Sequence, residues 1–240
     1  MKLQPIIEAE STQLARRIAD TLKRDCQPFL NAIDGQVSQY PLLRGVSKLP
    51  AHYRVLTKHR VRLQNRTPRD SSAYMHDLAN EIFTKRFGEP FRNSLFVGGY
   101  EVAERYANEA LVAIFPIGQF RFVWSPKIDD FFSYFEDSPY DAYSNYAHQT
   151  GISKHIADTE ELFDVVKDKD VLEYFIPLYY IDHSLKDAIS SGSEIMLRCP
   201  TYYALVLNVE ADQDYNVSFG YKKGPQTHRN ILSDIQQALR

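Results

Sequence analysis

Glu194 is the residue whose surroundings in this sequence best suit chemistry. It follows the flexible run Ser191-Gly-Ser193 and opens the apolar stretch Ile195-Met-Leu197. A strand would hold its carboxylate rigidly while the neighbouring loop keeps it accessible. The plainer alternative is a solvated glutamate at a strand start. Ile195–Leu197 and Tyr202–Leu207 read as two short strands joined by a turn containing Pro200.

Arg44 is the second candidate. In Pro41-Leu-Leu-Arg-Gly-Val46 it stands between a short apolar strand and Gly45. The glycine permits close backbone approach or a positive φ, and the planar guanidinium can present a fork to a phosphate or carboxylate. An ordinary turn accounts for the same pair of residues. A third region runs Phe91-Arg-Asn-Ser-Leu-Phe-Val-Gly-Gly-Tyr-Glu-Val-Ala-Glu-Arg-Tyr-Ala107. It reads as a strand ending at Phe96-Val97, a Gly-Gly turn, and a helix with Val102, Ala103 and Tyr106 facing inward. A glycine turn entering a helix can approach a phosphate or ribose closely, and it can equally be a plain connection.

Between Gly35 and Arg69 there is no acidic residue, while Arg44, Lys48, Arg54, Lys58, Arg60, Arg62, Arg66 and Arg69 all fall there. Alternation over Tyr53–Leu63 predicts a strand with a basic face. Such a strip could attract nucleic acid or a phosphate-bearing ligand, or it could be a solvated face balanced by the acidic segment 157–187.

The elements that must position these residues follow from periodicity. Ile6, Ile7, Leu14, Ile18 and Leu22 predict an amphipathic helix that covers a sheet, with Lys23 and Arg24 at the negative end of its dipole. A helix over 71–87 would be capped by Ser71 or Ser72 and ended by Gly88 and Pro90. Leu111–Gly118 and Phe120–Pro126 read as strands around a Gly-Gln turn, the first an edge strand or one that stops at Pro116. Residues 129–146 predict helix plus loop. Helices are expected over 159–167 and 170–190, the latter kinked or split at Pro177. A strand over 214–221 and a helix over 228–240 follow. No internal repeat or low-complexity linker divides the 240 residues, which points to one domain: a helical cover (1–30), a core (35–207) and a C-terminal strand and helix (208–240).

The composition, 44% hydrophobic and 25% charged with net charge −3, is that of a globular protein without general affinity for nucleic acid or anionic membrane. No apolar run approaches the roughly 18 residues that span a bilayer. Cys26 and Cys199 supply neither a disulfide framework nor metal spacing, which fits a reducing, cytoplasmic setting. The seven histidines lack HxH and HExxH spacing, and neither a GxSxG elbow nor a phosphate loop is present. These absences point away from zinc hydrolases, serine hydrolases and P-loop enzymes.

Taken in order, Leu43-Arg-Gly45, the strand–turn–helix around Phe96, and Ser193-Glu-Ile-Met-Leu197 followed by Tyr202-Tyr203 resemble the ADP-ribosyltransferase fold in its Arg-Ser-Glu branch. The resemblance covers about a sixth of the chain, and its most specific part is Gly192-Ser-Glu-Ile-Met-Leu197. It implies an α+β fold with a split, mostly antiparallel sheet, flanking helices and a cleft sized for NAD. By the same resemblance, Arg44 and Gly45 would meet the NAD phosphates or ribose, while Phe96, Tyr100 or Tyr106 would stack on nicotinamide. Glu194 would hold a ribose hydroxyl and stabilise the oxocarbenium-like charge as nicotinamide leaves. NAD would be the substrate, and a protein, a nucleic acid or a small molecule the acceptor.

Two departures stand out. The family serine is expected where this chain has Gly98, with Ser94 able to replace it only on a shifted register. Gly192 stands where arginine-modifying members have Glu, which argues against arginine as acceptor. The order Leu-Arg-Gly, Phe-Pro-Ile-Gly, Trp-Ser-Pro and Glu-Ile-Met also resembles that of bacteriophage proteins, which implies a host cytoplasm. The competing expectation is a non-enzymatic phage or host-interaction protein that binds nucleic acid or an acidic partner through the strip 44–69.

Overall fold

The computed structural model describes residues 4–46, 56–66, 71–107, 110–137, 139–151, 169–209 and 225–240. The chain forms an α+β structure built on two antiparallel sheets.

The four-stranded sheet has the order β1 (Leu43–Val46), β4 (Ala110–Pro116), β7 (Thr201–Val209), β2 (Thr57–Arg60). Every residue of β4 is buried. Its unbroken Ala-Leu-Val-Ala-Ile-Phe run therefore marks a strand covered on both faces rather than an alternating half-exposed one. Helix α1 (Gln4–Asp25) supplies part of that cover. Its Ala15, Ile18, Ala19 and Leu22 recur every three or four residues and are all buried. Phe29 and Leu30 of α2 (Gln27–Ala32) and Leu232 and Ile235 of α8 (Pro225–Leu239) join the same core.

The second sheet has the order β3 (Leu95–Val97), β6 (Ile195–Arg198), β5 (Arg121–Trp124). Its strands lie between two different cores. Leu95, Val97, Trp124, Ile195 and Leu197 join the first core, while Val123 and Met196 face a second one. That division is the period-two alternation of a strand. The second core is filled by α3 (Ala73–Phe87), a turn at Phe91–Asn93, Ile128–Phe135 and α6 (Lys169–Tyr179), with α5 (Tyr140–Thr150) alongside.

Among the described residues, the two sheets meet at one antiparallel bridge, Leu43 with Gly98. Leu43 N–H donates to Gly98 O at 2.8 Å, and Gly98 N–H donates to Leu43 O at 2.9 Å. Glycine is required at this crossing, because a Cβ on Gly98 would lie 2.7 Å from Val102 Cβ of α4 (Tyr100–Arg105).

Several expectations hold. Ser72 caps α3 by accepting the Met75 N–H at 3.2 Å, and Gly88 ends it in the left-handed region. β3, β6, β7, α1 and α8 lie where the pattern places them. Pro177 sits exposed in the last turn of α6, and the helix ends at Tyr179. The split then falls at residues 180–184, before α7 (Leu185–Ser190).

The strands on either side of Gly118 and of Pro200 belong to different sheets; in each case the short link carries the chain from one sheet to the other. β4 is also no edge strand, being paired on both sides and ending at Pro116. The strand predicted over 53–63 is reduced to Thr57–Arg60 among the described residues. The helix expected at 159–167 and the strand at 214–221 lie outside the described residues. Among the described residues, no helix is long and apolar enough to cross a membrane.

Candidate functional site

Glu194 is delivered by a tightly bonded loop. Helix α7 ends at Ser190, and Gly192 turns the chain at φ 74°. Ser191 Oγ–H donates to Ala188 O (2.8 Å) while accepting the Ser193 N–H (3.1 Å). The Glu194 N–H then donates to Asp129 O at 2.7 Å, which fixes the entry into β6. The Glu194 side chain is only 13% exposed.

β3 runs antiparallel beside β6, with Val97 opposite Ile195. Extending that register by one residue sets Gly98 opposite Glu194. Gly98 in turn bridges Leu43, the residue before Arg44. Three segments far apart in sequence thus come side by side: the Arg44 strand, the end of the Phe96 strand and the start of the Glu194 strand.

The carboxylate faces a guanidinium absent from the sequence expectations. Arg92 Nη1 lies 3.4 Å from Glu194 Oε1, and Nη2 donates to Ser71 Oγ at 3.0 Å. Arg92 is itself buried, and its guanidinium carbon stands 4.3 Å from the Phe131 ring centre and 4.9 Å from that of Phe96. Its backbone N–H donates to Asn80 Oδ1 of α3 at 2.9 Å, so the turn that carries it is fixed too. A second guanidinium, Arg66, lies 4.6 Å from the centre of Phe96 and donates to the Ser94 carbonyl.

Burial, with the charges of Arg44 and Arg92, pulls Arg66 down to about 10, against the opposing charge of Glu194. It stays protonated at neutral pH. Arg66 thus stands within the fields of Arg44, Arg92 and Glu194.

On the other side stands Asp130, 7% exposed. One of its oxygens accepts the Ser133 N–H and the other the Tyr106 hydroxyl, each at 2.8 Å. Burial pushes the Glu194 carboxyl up to about 7, and the Asp130 charge pushes the same way; Arg92, Arg66 and the Phe131 N–H oppose them. Opposite charges 3.4 Å apart attract by about 5 kcal/mol at an effective dielectric of about 20. Withdrawing ions from water costs several kcal/mol each. The raised value means that burial prevails, and Glu194 exchanges its proton near neutrality. Tyr106 is raised by burial first and by Asp130 second, so its hydroxyl remains a donor.

The other predicted residues fall as follows. Gly45 is needed against the end of α4, where a Cβ would come within 2.4 Å of Ala103 O, Tyr106 C and Ala107 N. Ser94 is fully buried, and its Oγ has no partner among the described residues. Phe96 is half-buried under two guanidinium groups. Tyr100 packs against the first core. Tyr106 does not face inward with Val102 and Ala103; it is 50% exposed and reaches the site only through its hydroxyl.

Residues that the sequence reading passed over are Arg92 and Asp130, with Arg66 read there only as part of the basic strip. The aromatic flanks in Phe91-Arg-Asn-Ser-Leu-Phe96 were the one available signal for Arg92. No group of His, Cys, Asp and Glu among the described residues could hold a metal ion. The chain matches no family model, no curated protein and no solved structure.

Proposed function

We propose that the protein is an NAD-dependent mono-ADP-ribosyltransferase with an ADP-ribosyltransferase-like fold, Glu194 serving as the catalytic carboxylate. The observation that carries this reading is the alignment of Arg44, Gly98 and Glu194 on neighbouring segments, joined by the Leu43–Gly98 bridge and the β3–β6 register. Arg66 lies within the fields of Arg44, Arg92 and Glu194, so guanidinium groups gather beside the carboxylate where a diphosphate would need them. A largely desolvated carboxylate beside it suits stabilisation of an oxocarbenium-like charge, because an anion held out of water acts more strongly on charge that develops next to it.

The missing hydroxyl at Gly98 transfers the task of holding Glu194 to other groups, of which Arg92 and the Phe131 N–H are in contact with it. The acceptor is a protein or nucleic acid. The deciding experiment follows release of labelled nicotinamide from NAD by wild type and Glu194→Ala, with and without cell lysate. Release lost in the variant supports the reading; no release and no NAD binding under either condition ends it.

A second reading rests on Lys58, Arg60 and Arg62, which are all exposed on or just after the edge strand β2. In it the protein binds nucleic acid or an acidic partner without chemistry. Charge reversal at these three positions would then abolish binding, and Glu194→Ala would be silent.

A further inference from the structure

We propose that Arg92 is the positioning residue of the site, orienting the Glu194 carboxylate and keeping it anionic for ADP-ribosyl transfer. This rests on the function proposed above. The groups that face Glu194 come from five segments. They are Arg92 from the Phe91–Asn93 turn, Arg66 from the segment after β2, Asp130 and the Phe131 N–H after β5, Tyr106 at the end of α4, and Tyr180 after α6. Tyr106 and Tyr180 are phenols raised by burial and stay neutral, and Asp130 is a like charge that disfavours the anion. Among the described residues, the charges that favour it most are those of Arg92 and Arg66.

Of those two, Arg66 is held by the Ser94 carbonyl and the Phe96 ring. Among the described residues, Arg92 is the one that makes an ion pair with Glu194, at 3.4 Å. Its own conformation is over-determined by two aromatic faces, the Ser71 hydroxyl and the Asn80 amide oxygen on its backbone. A side chain locked this way can transmit geometry to its partner, which a flexible surface arginine cannot. Its small exposure keeps water from screening the pair. Arg92 acts through Glu194, so it governs how much carboxylate is available rather than the chemistry itself.

The test follows the Glu194 carboxyl by carbon NMR in glutamate-labelled protein without NAD, the signal being assigned by its loss in Glu194→Gln. Titration is run in wild type, Arg92→Gln and Arg92→Lys. The expected result is a midpoint displaced upward by about one pH unit or more in Arg92→Gln and largely restored in Arg92→Lys. The acidic limb of kcat for nicotinamide release would move by the same interval with little change in KM.

Wild type alone gives a second measurement should Arg92→Gln not fold: the Arg92 side-chain nitrogen signals must titrate with the Glu194 midpoint. An unmoved midpoint in folded Arg92→Gln, or flat Arg92 signals in wild type, overturns the proposal. Because the titrations need no NAD, their failure is distinct from a failure of the transferase reading, which nicotinamide release tests separately.

Discussion

The two cores of the molecule are built from different materials. The one around the four-stranded sheet is mainly aliphatic, with Phe29, Phe115 and Trp124 its only buried aromatic residues among those described. The one behind β6 is aromatic: Phe83, Phe87, Phe91, Phe131, Phe135, Phe175 and Tyr180 are buried there, and many of their rings meet edge to face. An aliphatic core can bury a sheet but offers nothing to a cation. Aromatic faces can hold a guanidinium out of water through their negative quadrupole. The buried Arg92 guanidinium is flanked by Phe96 and Phe131. The aliphatic half supplies the strand of Arg44, while the aromatic half supplies the burial that makes Glu194 a weaker acid than usual.

Truncation is the strongest way to test this division. Phe175→Ala should cost about 3–5 kcal/mol, measured by urea unfolding. It should also loosen the segment bearing Phe131, so that the Glu194 midpoint drifts. Leu22→Ala should cost about 2–5 kcal/mol while leaving that midpoint in place, and equal drift in both variants would break the comparison.

Gly45→Ala probes the contact between β1 and α4, where its Cβ would meet backbone atoms that cannot rotate away. A loss of about 1–3 kcal/mol in the same unfolding experiment is expected.

The pH dependence sharpens the comparison further. The folded value of Glu194 is raised from 4.5 to about 7, so the folded state binds more protons than the unfolded state between these values. Stability therefore falls as pH rises through that window, by no more than about 3 kcal/mol. Glu194→Gln should flatten the slope of unfolding free energy between pH 5 and 8, and an unchanged slope would place the titrating group elsewhere. Smallest is Ser72→Ala, which removes the cap of α3 at a cost of about 1 kcal/mol and leaves the midpoint of Glu194 unmoved.

Local features were legible in the sequence where a residue type has one dominant physical use. Ser72 and Gly88 bounded α3, and Glu194 stood where a loop hands over to an apolar strand. The strand partners were not legible, because short links usually join neighbours in one sheet, whereas Ile117–Phe120 and Cys199–Pro200 each cross between sheets. The continuous apolar run of β4 was a sign of its central position, and Pro116 drew attention away from it. Arg92 was missed for a related reason. Arginine in a turn is exposed in most proteins, and nothing local says that rings distant in sequence, such as Phe131, will close over it. At Gly45 and Gly98 the structure gives the glycines a packing use, the close approach of α4.

Gly98 also limits the routes by which this sequence can change. A serine there would place its Cβ against Val102 Cβ, an atom that every residue except glycine carries. Shortening Val102 to alanine would leave the obstacle intact. A hydroxyl opposite Glu194 thus calls for a change at Val102 as well as at Gly98, and in this chain other groups hold the carboxylate in place.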